Sequence, residues 1–376
     1  MMANPDRGAL CAATSNKLAH AAVAQIETLI GLDGFVDEII HVVDKRHSLA
    51  QYDRIQTIDQ FARRAAQAAG QSANFELVVT QEKLGGNGPI MANALAAIGL
   101  RVTYIGNLGY PDIHRVFQPM TTRARVISIA PPGHTDALEF LDGKLMLGKL
   151  GPIAEITWEN ILERIGKDHL MAMVRAARLI GTVNWTMLPF MNDIWKHLLR
   201  DILAHLPPAE RILFVDLADP EKRTRADLRG ALEILEQFQK YLHVILGLNL
   251  KEAVQVAAAV GLPEFSEPES QIEAMAAAIR AKLQLGTIVI HPRGAAAAAD
   301  QDGSAQFAGP FVTQPKISTG AGDHFNAGFV TGRLLGLSLA ESLCVGTATS
   351  GYYVRTAKSP TLTDLTEFVR TLPPPQ

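Results

Sequence analysis

The chain has 376 residues, 48 % hydrophobic and 19 % charged, and its 35 Lys and Arg against 38 Asp and Glu leave a net charge of −3. This composition excludes a wholly disordered chain, and the near-neutral balance lacks the bulk positive charge of a dedicated nucleic-acid-binding protein. No apolar run reaches the roughly 18 residues needed to cross a bilayer. The two cysteines, Cys11 and Cys344, are too few for a disulfide framework and favour the reducing cytoplasm. We therefore expect a cytoplasmic globular protein that acts on a small molecule and binds neither nucleic acid nor membrane.

The first part of the chain mixes loops, strands and one helix. Residues 1–24 are small and polar and predict a flexible N-terminal arm with at most a short helix. Extended segments are expected at 25–30, 31–43 and 75–80, where apolar and β-branched residues cluster. The Ala-rich segment 57–70 has apolar residues at helical spacing and ends on a glycine, which predicts a helix that looks like an insertion.

From residue 85 onward, strands and helices alternate. A glycine-rich turn leads into a helix with Pro89 in its first turn and Gly99 at its end. Further strands are expected at 101–106, 178–183, 211–217, 242–248 and 286–291, and helices at 189–204, 224–240, 250–260, 268–284 and through most of 322–370. Apolar strands separated by helices indicate a mainly parallel sheet covered on both faces.

Two segments depart from this alternation, and two others stand out by their composition. Residues 36–48 and 125–148 hold short β-like pieces without helices, which predicts a small antiparallel flap outside the main sheet. The alanine-rich tract 294–300 follows a strand and is expected to lie on or beside the sheet. The proline-rich end, 371–376, predicts a disordered tail.

The segment 315–329 carries the clearest chemical signal. Thr319-Gly320-Ala321-Gly322-Asp323 precedes an amphipathic helix, and small residues at a helix start expose backbone N–H groups that bind anions. The charge of Asp323 would repel a bound phosphate, but its carboxylate would serve as a base for a hydroxyl that attacks phosphorus. The same residue is also a favoured helix cap, so this segment alone supports both interpretations.

The longer pattern Gly320-Ala321-Gly322-Asp323-x-Phe325-x-x-Gly328-Phe329 resembles the C-terminal signature of the ribokinase/PfkB family of carbohydrate kinases. The segments 85–88 and 249–253 resemble the family's glycine motif and its Asn-x-x-Glu motif, and Asp216 stands where the family has an acidic residue. The resemblance covers about 25–370. It implies one ribokinase-like domain, a three-layer α/β sandwich whose mostly parallel central sheet carries a small β lid from 36–48 and 125–148.

The resemblance implies the roles of the catalytic and nucleotide-binding residues. Asp323 would be the base, and Gly320, Ala321 and Gly322 would form the anion hole. Asn249 and Glu252 would support Mg²⁺ near the phosphates of ATP, partly through water, although an N-cap followed by an acid in the first turn explains this pair equally well. The pair Arg293-Gly294 stands in place of the family's turn around the nucleotide, where Arg293 either contacts a phosphate or is a surface charge.

The sugar-binding residues implied by the resemblance are Gly85, Gly86, Asn87 and one carboxylate after the first strand. Glycines let the backbone reach a ligand, and the side chain of Asn87 is both donor and acceptor. The spacing does not decide whether Asp33 or Asp37 is the sugar ligand, and either could be a solvated turn residue.

The function implied is transfer of the γ-phosphoryl group of ATP to a hydroxyl of a sugar, by a homodimer joined through its lids. One alternative is a nucleoside or heterocyclic-alcohol kinase, for which Phe35, Phe140 and Trp185 could form an aromatic slot. Another is a ligand sensor without catalysis, although such a protein need not keep Asp323.

One departure from the family concerns a monovalent cation. The resemblance implies that an Asp two residues before Thr319 contributes to a potassium site beside the anion hole, but Ile317 stands there. The side chain of Ile317 offers no oxygen. We therefore expect a requirement for Mg²⁺ and little or no activation by K⁺.

Overall fold

The computed structural model describes residues 7–375. Its strands are β1 Glu27–Leu32, β2 Phe35–Arg46, β3 Tyr52–Arg54, β4 Leu77–Gly85, β5 Arg101–Gly106, β6 Arg125–Ser128, β7 Gly133–Glu139, β8 Lys144–Lys149, β9 Leu179–Val183, β10 Ile212–Asp216, β11 His243–Leu248, β12 Thr287–Ile290, β13 Ala295–Asp300 and β14 Gly303–Ala308. Its helices are α1 Arg7–Ala19, α2 Ile58–Ala66, α3 Asn87–Ile98, α4 Trp158–Ile165, α5 Lys167–Ala176, α6 Met191–His197, α7 Arg225–Phe238, α8 Leu250–Ala259, α9 Ile272–Leu283, α10 Ala321–Leu334, α11 Leu339–Thr356 and α12 Leu362–Arg370.

The central sheet has nine strands in the order β14-β13-β12-β11-β10-β9-β1-β5-β6. The pairs from β12 to β6 are parallel, and β13 and β14 extend the sheet antiparallel at one edge. The inner strands are buried along nearly their whole length, as expected for a sheet covered on both faces. The predicted strands, the sheet type and the position of the alanine-rich tract, which is β13, are confirmed.

Helices cover both faces of this sheet because successive side chains of a strand point to opposite sides. On β10, Leu213 and Val215 pack in one apolar cluster and Phe214 in the other. The first cluster includes residues of α4 to α9, and the second includes residues of α1, α3, α10, α11 and α12. The result is the predicted three-layer α/β sandwich.

A small sheet made of β2, β3, β4, β7 and β8 forms the lid. The predicted flap is wrong in two respects. Strand β2 pairs antiparallel with β4 but parallel with β7, so the lid is mixed. Residues 125–128 are β6 of the central sheet, where Val126 and Ile127 pack against the two core clusters, and the lid resumes only after Pro131 and Pro132.

The predicted flexible arm is instead helix α1 over most of its described part. Leu18 is fully buried, the Ser15 hydroxyl donates to the Thr366 carbonyl at 3.0 Å, and Lys17 pairs with Glu341 at 2.7 Å. Small side chains on α1 therefore fit against α11 and α12, a packing that polar composition does not reveal. Residues 1–6 of the predicted arm lie outside the described residues.

The C-terminal segment is anchored where it was predicted to be disordered. Leu372 is buried, and the Arg7 guanidinium donates to the carbonyl of Pro373 at 2.6 Å. Residue 376 lies outside the described residues.

The predicted helix at 57–70 is confirmed as α2. The Thr57 hydroxyl caps it by accepting from the Gln60 amide at 3.1 Å, and Phe61 packs on Phe75 and Phe140 at the apolar cluster of the lid strands. Within residues 7–375, the helices are too short or too polar to cross a bilayer.

Candidate active site

A cavity of about 920 Å³ opens at the carboxyl edge of the central sheet. Four residues that line it come at or just after the ends of adjacent parallel strands: Asn184 after β9, Asp216 on β10, Asn249 after β11 and His291 after β12. Ligand sites of open α/β sheets form at this edge because parallel strands all deliver their following loops there.

The start of α10 forms one wall of the cavity. Gly320 is the N-cap with φ +87°, a left-handed conformation that suits glycine, and Gly320, Ala321 and Gly322 all line the cavity. The first amides of a helix lack partners within the helix, and its dipole favours negative charge there. Of the three amides, that of Ala321 also donates to the Ser318 carbonyl at 3.2 Å. The predicted anion-hole segment therefore lies in a position suited to a phosphate group.

Asp323 lies in the first turn of α10 and faces the cavity, while Gly320 occupies the cap position. Its carboxylate is 6 % exposed, and its Oδ1 accepts a hydrogen bond from Asn87 Nδ2 at 2.9 Å. Burial raises the pKa of Asp323 to about 7, opposed by the bond from Asn87 and assisted by the charges of Asp33 and Glu252. Such a carboxyl can exchange a proton near neutral pH, as a general base must.

Asp33 is fully buried and holds the start of α3. Its two carboxylate oxygens accept from the Asn87 amide at 3.0 Å, the Gly88 amide at 2.8 Å and Asn184 Nδ2 at 2.7 Å. Burial raises the pKa of Asp33 to about 6, against the effect of these three donors. Asn87 therefore links the two carboxylates: its backbone amide donates to Asp33, and its side-chain amide donates to Asp323.

Asp37 lies on β2 of the lid, and its carboxylate faces the end of β4. A Cβ placed on Gly85 would sit 2.4 Å from both carboxylate oxygens, so only glycine fits beside it. The Thr135 side chain donates a hydrogen bond to this carboxyl, whose pKa is raised by burial. Asp37 thus has fewer protein donors than Asp33. Beside Gly85, Gly86 has φ +97° and is the N-cap of α3.

Asn249 and Glu252 form a reciprocal capping box at the start of α8. Asn249 Oδ1 accepts from the Glu252 amide at 3.0 Å, and Glu252 Oε2 accepts from the Asn249 amide at 2.8 Å. Glu252 Oε1 also accepts from the Asp219 amide at 2.8 Å. Asn249 and Glu252 therefore form the helix cap that was one of the two interpretations of this pair. Both residues also line the same cavity as Asp323.

The carboxylates of this region suit a hard divalent cation. Burial raises the pKa of Asp216 well above its usual range, and the charges of Glu252 and Asp323 raise it further. Buried carboxylates that repel one another favour a cation with oxygen ligands. Within residues 7–375, no three His, Cys, Asp or Glu side chains converge on one metal position.

Arg293 and Gly294 lie in the turn between β12 and β13. Arg293 is exposed and lines the cavity, so it can reach a bound anion. The Gly294 carbonyl accepts from the Gly309 amide at 3.0 Å, which ties this turn to the loop before α10.

Asn184 lines the cavity but is not among the site residues predicted from the sequence. It has φ +63°, its Nδ2 donates to Asp33, and its buried Oδ1 has no hydrogen-bond partner among residues 7–375. A buried polar atom without a partner in a cavity is suited to a ligand donor. The signal available was an asparagine directly after a buried parallel strand.

The aromatic slot considered for a nucleoside base is wrong. Phe35, Phe140 and Trp185 are buried in apolar clusters, at 5 %, 5 % and 0 % exposure. The aromatic residues that line the cavity within residues 7–375 are Phe311 and Phe325.

Comparison with known proteins relates the chain to sugar kinases. The family model of prokaryotic ketohexokinases matches residues 7–372. A ketohexokinase of Haloferax volcanii is 31 % identical over 344 residues, which cover 90 % of each chain.

Solved structures of low identity share the fold. A carbohydrate kinase from Agrobacterium tumefaciens is 17 % identical with a TM-score of 0.62, over 93 % of this chain and 98 % of the other. A ribokinase from Cryptococcus neoformans in complex with ADP is 18 % identical with a TM-score of 0.61, over 91 % and 98 %.

Proposed function

Since the chain belongs to the prokaryotic ketohexokinase family, we propose that it transfers the γ-phosphoryl group of ATP to a hydroxyl of a ketohexose. The predicted membership of the ribokinase/PfkB group is confirmed, and the chain is a carbohydrate kinase. The observation that carries the proposal is the buried carboxylate of Asp323, which lies beside an anion-binding helix start in one cavity.

In the proposed mechanism, Asp323 accepts the proton of the sugar hydroxyl as its oxygen attacks the γ-phosphorus. The new O–P bond forms as the bond from the γ-phosphorus to the bridging oxygen breaks and ADP leaves. The amides at Gly320 to Gly322 hold the charge that develops on the transferred group. The lid excludes water, which would otherwise compete with the sugar.

Asn249 and Glu252 would support Mg²⁺ through water, with Asp216 close to Glu252. When bound, the cation neutralises phosphate charge. Arg293, on the cavity wall, would contact the nucleotide phosphates, and the turn at Gly294 would shape that wall.

For the sugar, we propose Asp37 as the carboxylate ligand, with Gly85, Gly86, Asn87 and Asn184 beside it. Asp33 already accepts three hydrogen bonds from the protein, whereas Asp37 has lone pairs left for hydroxyl donors. Asp33 would then act indirectly, by fixing the start of α3.

A thermal-shift panel tests the substrate class. Ligands that bind only the folded protein raise its melting temperature. Ketohexoses such as fructose are expected to raise it, and adenosine or a pyrimidine alcohol alone is not. Stabilisation by nucleosides only would favour the nucleoside kinase, and stabilisation by a sugar without any release of ADP from ATP would favour the sensor.

The pH dependence of kcat/KM for the sugar should report Asp323. With a pKa of about 7, the base is protonated below neutral pH, so kcat/KM should fall toward acid and level off above pH 7. The rings of His291 and His324 have pKa values lowered to about 4 and stay neutral over this range. Asp33, with a pKa of about 6, titrates within it, but it accepts from the backbone amide of Asn87, which a substitution of that side chain retains. Asn87→Leu removes the bond that lowers the pKa of Asp323 and should move the acidic limb to higher pH. A flat wild-type profile from pH 5.5 to 8 would argue against Asp323 as the base.

Activation by K⁺ should be small or absent, because Ile317 supplies no charged ligand. The two basic residues of the segment after Gly351 supply no oxygen ligand in its place. Arg355 donates to the carbonyls of Gly351 and Phe311 at 2.9 and 3.0 Å, and Lys358 is exposed. The measurement compares initial rates in K⁺ and in tetramethylammonium at fixed Mg-ATP and ionic strength, with Ile317→Asp as the matched variant. Large, saturable activation of the wild type by K⁺ would refute this prediction.

We also propose a homodimer through the lid. Large apolar side chains are 40 to 51 % exposed on or beside its outer strands β4 and β8: Leu77, Val79, Met146, Leu147 and Leu150. Clusters of exposed apolar residues are typical of protein–protein contacts.

The lid dimer should have twice the chain mass of 40.6 kDa by light scattering after gel filtration. Val79→Asp with Leu147→Asp should give monomers, whereas Tyr241→Asp, which changes an exposed aromatic residue outside the lid, should not. A monomeric wild type, or a double variant that remains dimeric, would contradict the lid interface.

A further inference from the structure

His324 joins the helix start that lines the cavity to the segment after α11. It follows Asp323 directly but is only 2 % exposed. Its Nδ1 lies 2.7 Å from the Gly320 carbonyl oxygen, and its Nε2 lies 2.9 Å from the Ser359 hydroxyl. The ring therefore bridges two separate parts of the chain.

The partners of this ring define its tautomer. A carbonyl oxygen only accepts, so Nδ1 carries the hydrogen and donates to Gly320. Nε2 is then the acceptor for the Ser359 hydroxyl. Burial lowers the pKa of His324 to about 4, so the ring is neutral at ordinary pH and one tautomer satisfies both bonds.

Tyr353 of α11 adds a second contact to the same loop. Its ring stacks on His324 with centroids 3.6 Å apart and an interplanar angle of 13°. Its hydroxyl donates to the Thr319 carbonyl at 3.0 Å, and burial together with the charge of Asp323 raises its pKa to about 12, so it remains a donor. Two consecutive carbonyls, Thr319 and Gly320, are thus held by side chains.

Holding these carbonyls fixes the amides on the cavity side. In a planar trans peptide the C=O and the following N–H point in opposite directions. The orientation of the Thr319 carbonyl therefore sets that of the Gly320 N–H. The His324 amide also donates to the Gly320 carbonyl at 3.1 Å, so the side chains add to a backbone bond at that residue. Because glycine has no Cβ, its φ and ψ are less restricted than those of other residues, and the side-chain contacts further limit the orientations of the loop.

We infer that His324 and Tyr353 are positioning residues that hold the anion hole in the geometry required for phosphoryl transfer. The inference rests on the proposed function. Donors stabilise a transition state best when they are oriented before the reaction, and a misplacement of about 1 Å can lower the rate about 10²-fold. Their contribution should therefore appear in kcat rather than in sugar binding.

Three substitutions separate the contacts. His324→Leu removes both bonds of the ring, whereas His324→Asn keeps a donor near the position of Nδ1. Tyr353→Phe keeps the stacked ring and removes only the hydroxyl. The matched controls are Tyr352→Phe, whose ring packs on Phe368 instead, and His243→Leu, whose ring bonds Thr287 at the opposite edge of the sheet.

The first readout is steady-state kinetics with Mg-ATP and fructose. His324→Leu should lower kcat about 10- to 10²-fold with the sugar KM little changed, and His324→Asn should recover much of the loss. Tyr353→Phe should lower kcat by a smaller factor, again with the sugar KM little changed. The two control variants should keep the wild-type kcat. Equal kcat in His324→Leu and the wild type, or an asparagine variant no better than leucine, would overturn the inference.

The second readout is hydrogen exchange of peptides covering 316–323. Exchange should be faster in His324→Leu and Tyr353→Phe than in the wild type, and unchanged in Tyr352→Phe. Unaltered exchange in both loop variants would overturn the inference whether or not fructose is a substrate. A wild type that shows no turnover with fructose or any other ketohexose would contradict the proposed function alone, because hydrogen exchange still decides the positioning role.

Discussion

Asp323→Asn should lower kcat about 10²- to 10⁴-fold, the usual cost of losing a general base. Asparagine keeps the shape of the side chain, and its Oδ1 can still accept the bond that Asn87 donates to Asp323. The helix-start amides are unchanged, so ATP should still bind. Removing the carboxylate also removes one charge from a crowded acidic region, so nucleotide affinity should stay level or improve.

The measurement pairs turnover with nucleotide binding by calorimetry in the same preparation. Asp302→Asn, which changes an exposed carboxyl beyond β13, is the matched control and should keep wild-type kcat. Near wild-type turnover in Asp323→Asn would show that another group accepts the proton. Loss of ATP binding together with turnover would show that Asp323 supports the nucleotide site rather than the chemistry.

Asp37→Ala should lower kcat/KM for the sugar about 10²-fold or more, since hydrogen bonds to a charged group contribute about 1.5 to 3 kcal/mol each. The loss should appear in kcat/KM for the sugar, and the KM for ATP should be unchanged. Asp33→Asn should behave differently, because Asp33 accepts from two amides and Asn184 inside the protein. Its replacement should lower the melting temperature of the ligand-free protein.

Melting curves with and without fructose separate the two roles. Asp37→Ala should keep the ligand-free melting temperature and lose the fructose shift. Glu38→Gln, on the next position of β2, is the control for changing a lid carboxylate. An Asp37→Ala variant with an unchanged kcat/KM for the sugar would identify Asp33 as the better candidate.

The central sheet could be predicted because its strands are short, apolar and separated by helices. The lid could not be predicted in detail, since periodicity does not show whether two short strands pair parallel or antiparallel. Periodicity also does not show which sheet a short strand joins, so the sequence predicts β6 in the lid although it pairs with β5 of the central sheet. Helix α1 was missed because its buried face includes Cys11, Thr14 and Ser15, whose burial depends on the matching surfaces of α11 and α12.

The site could be predicted where a motif specifies the backbone, as at Gly320 to Asp323. The roles of residues whose partners are distant in sequence could not be predicted. The choice between Asp33 and Asp37 depends on which carboxylate already has donors, and those donors come from α3 and from the residue after β9. His324 gave no signal because its partners lie 4 and 35 residues away and become neighbours only in the fold.

The most direct test of the proposed mechanism is transfer of ³²P from [γ-³²P]ATP in the presence of Mg²⁺ to a panel of ketohexoses, aldohexoses and nucleosides. The mechanism predicts a labelled monophosphate of a ketohexose such as fructose, formed with one ADP per product, and its near absence with Asp323→Asn. Labelled nucleoside monophosphate with no labelled ketohexose, or equal labelling by the wild type and Asp323→Asn, would contradict it.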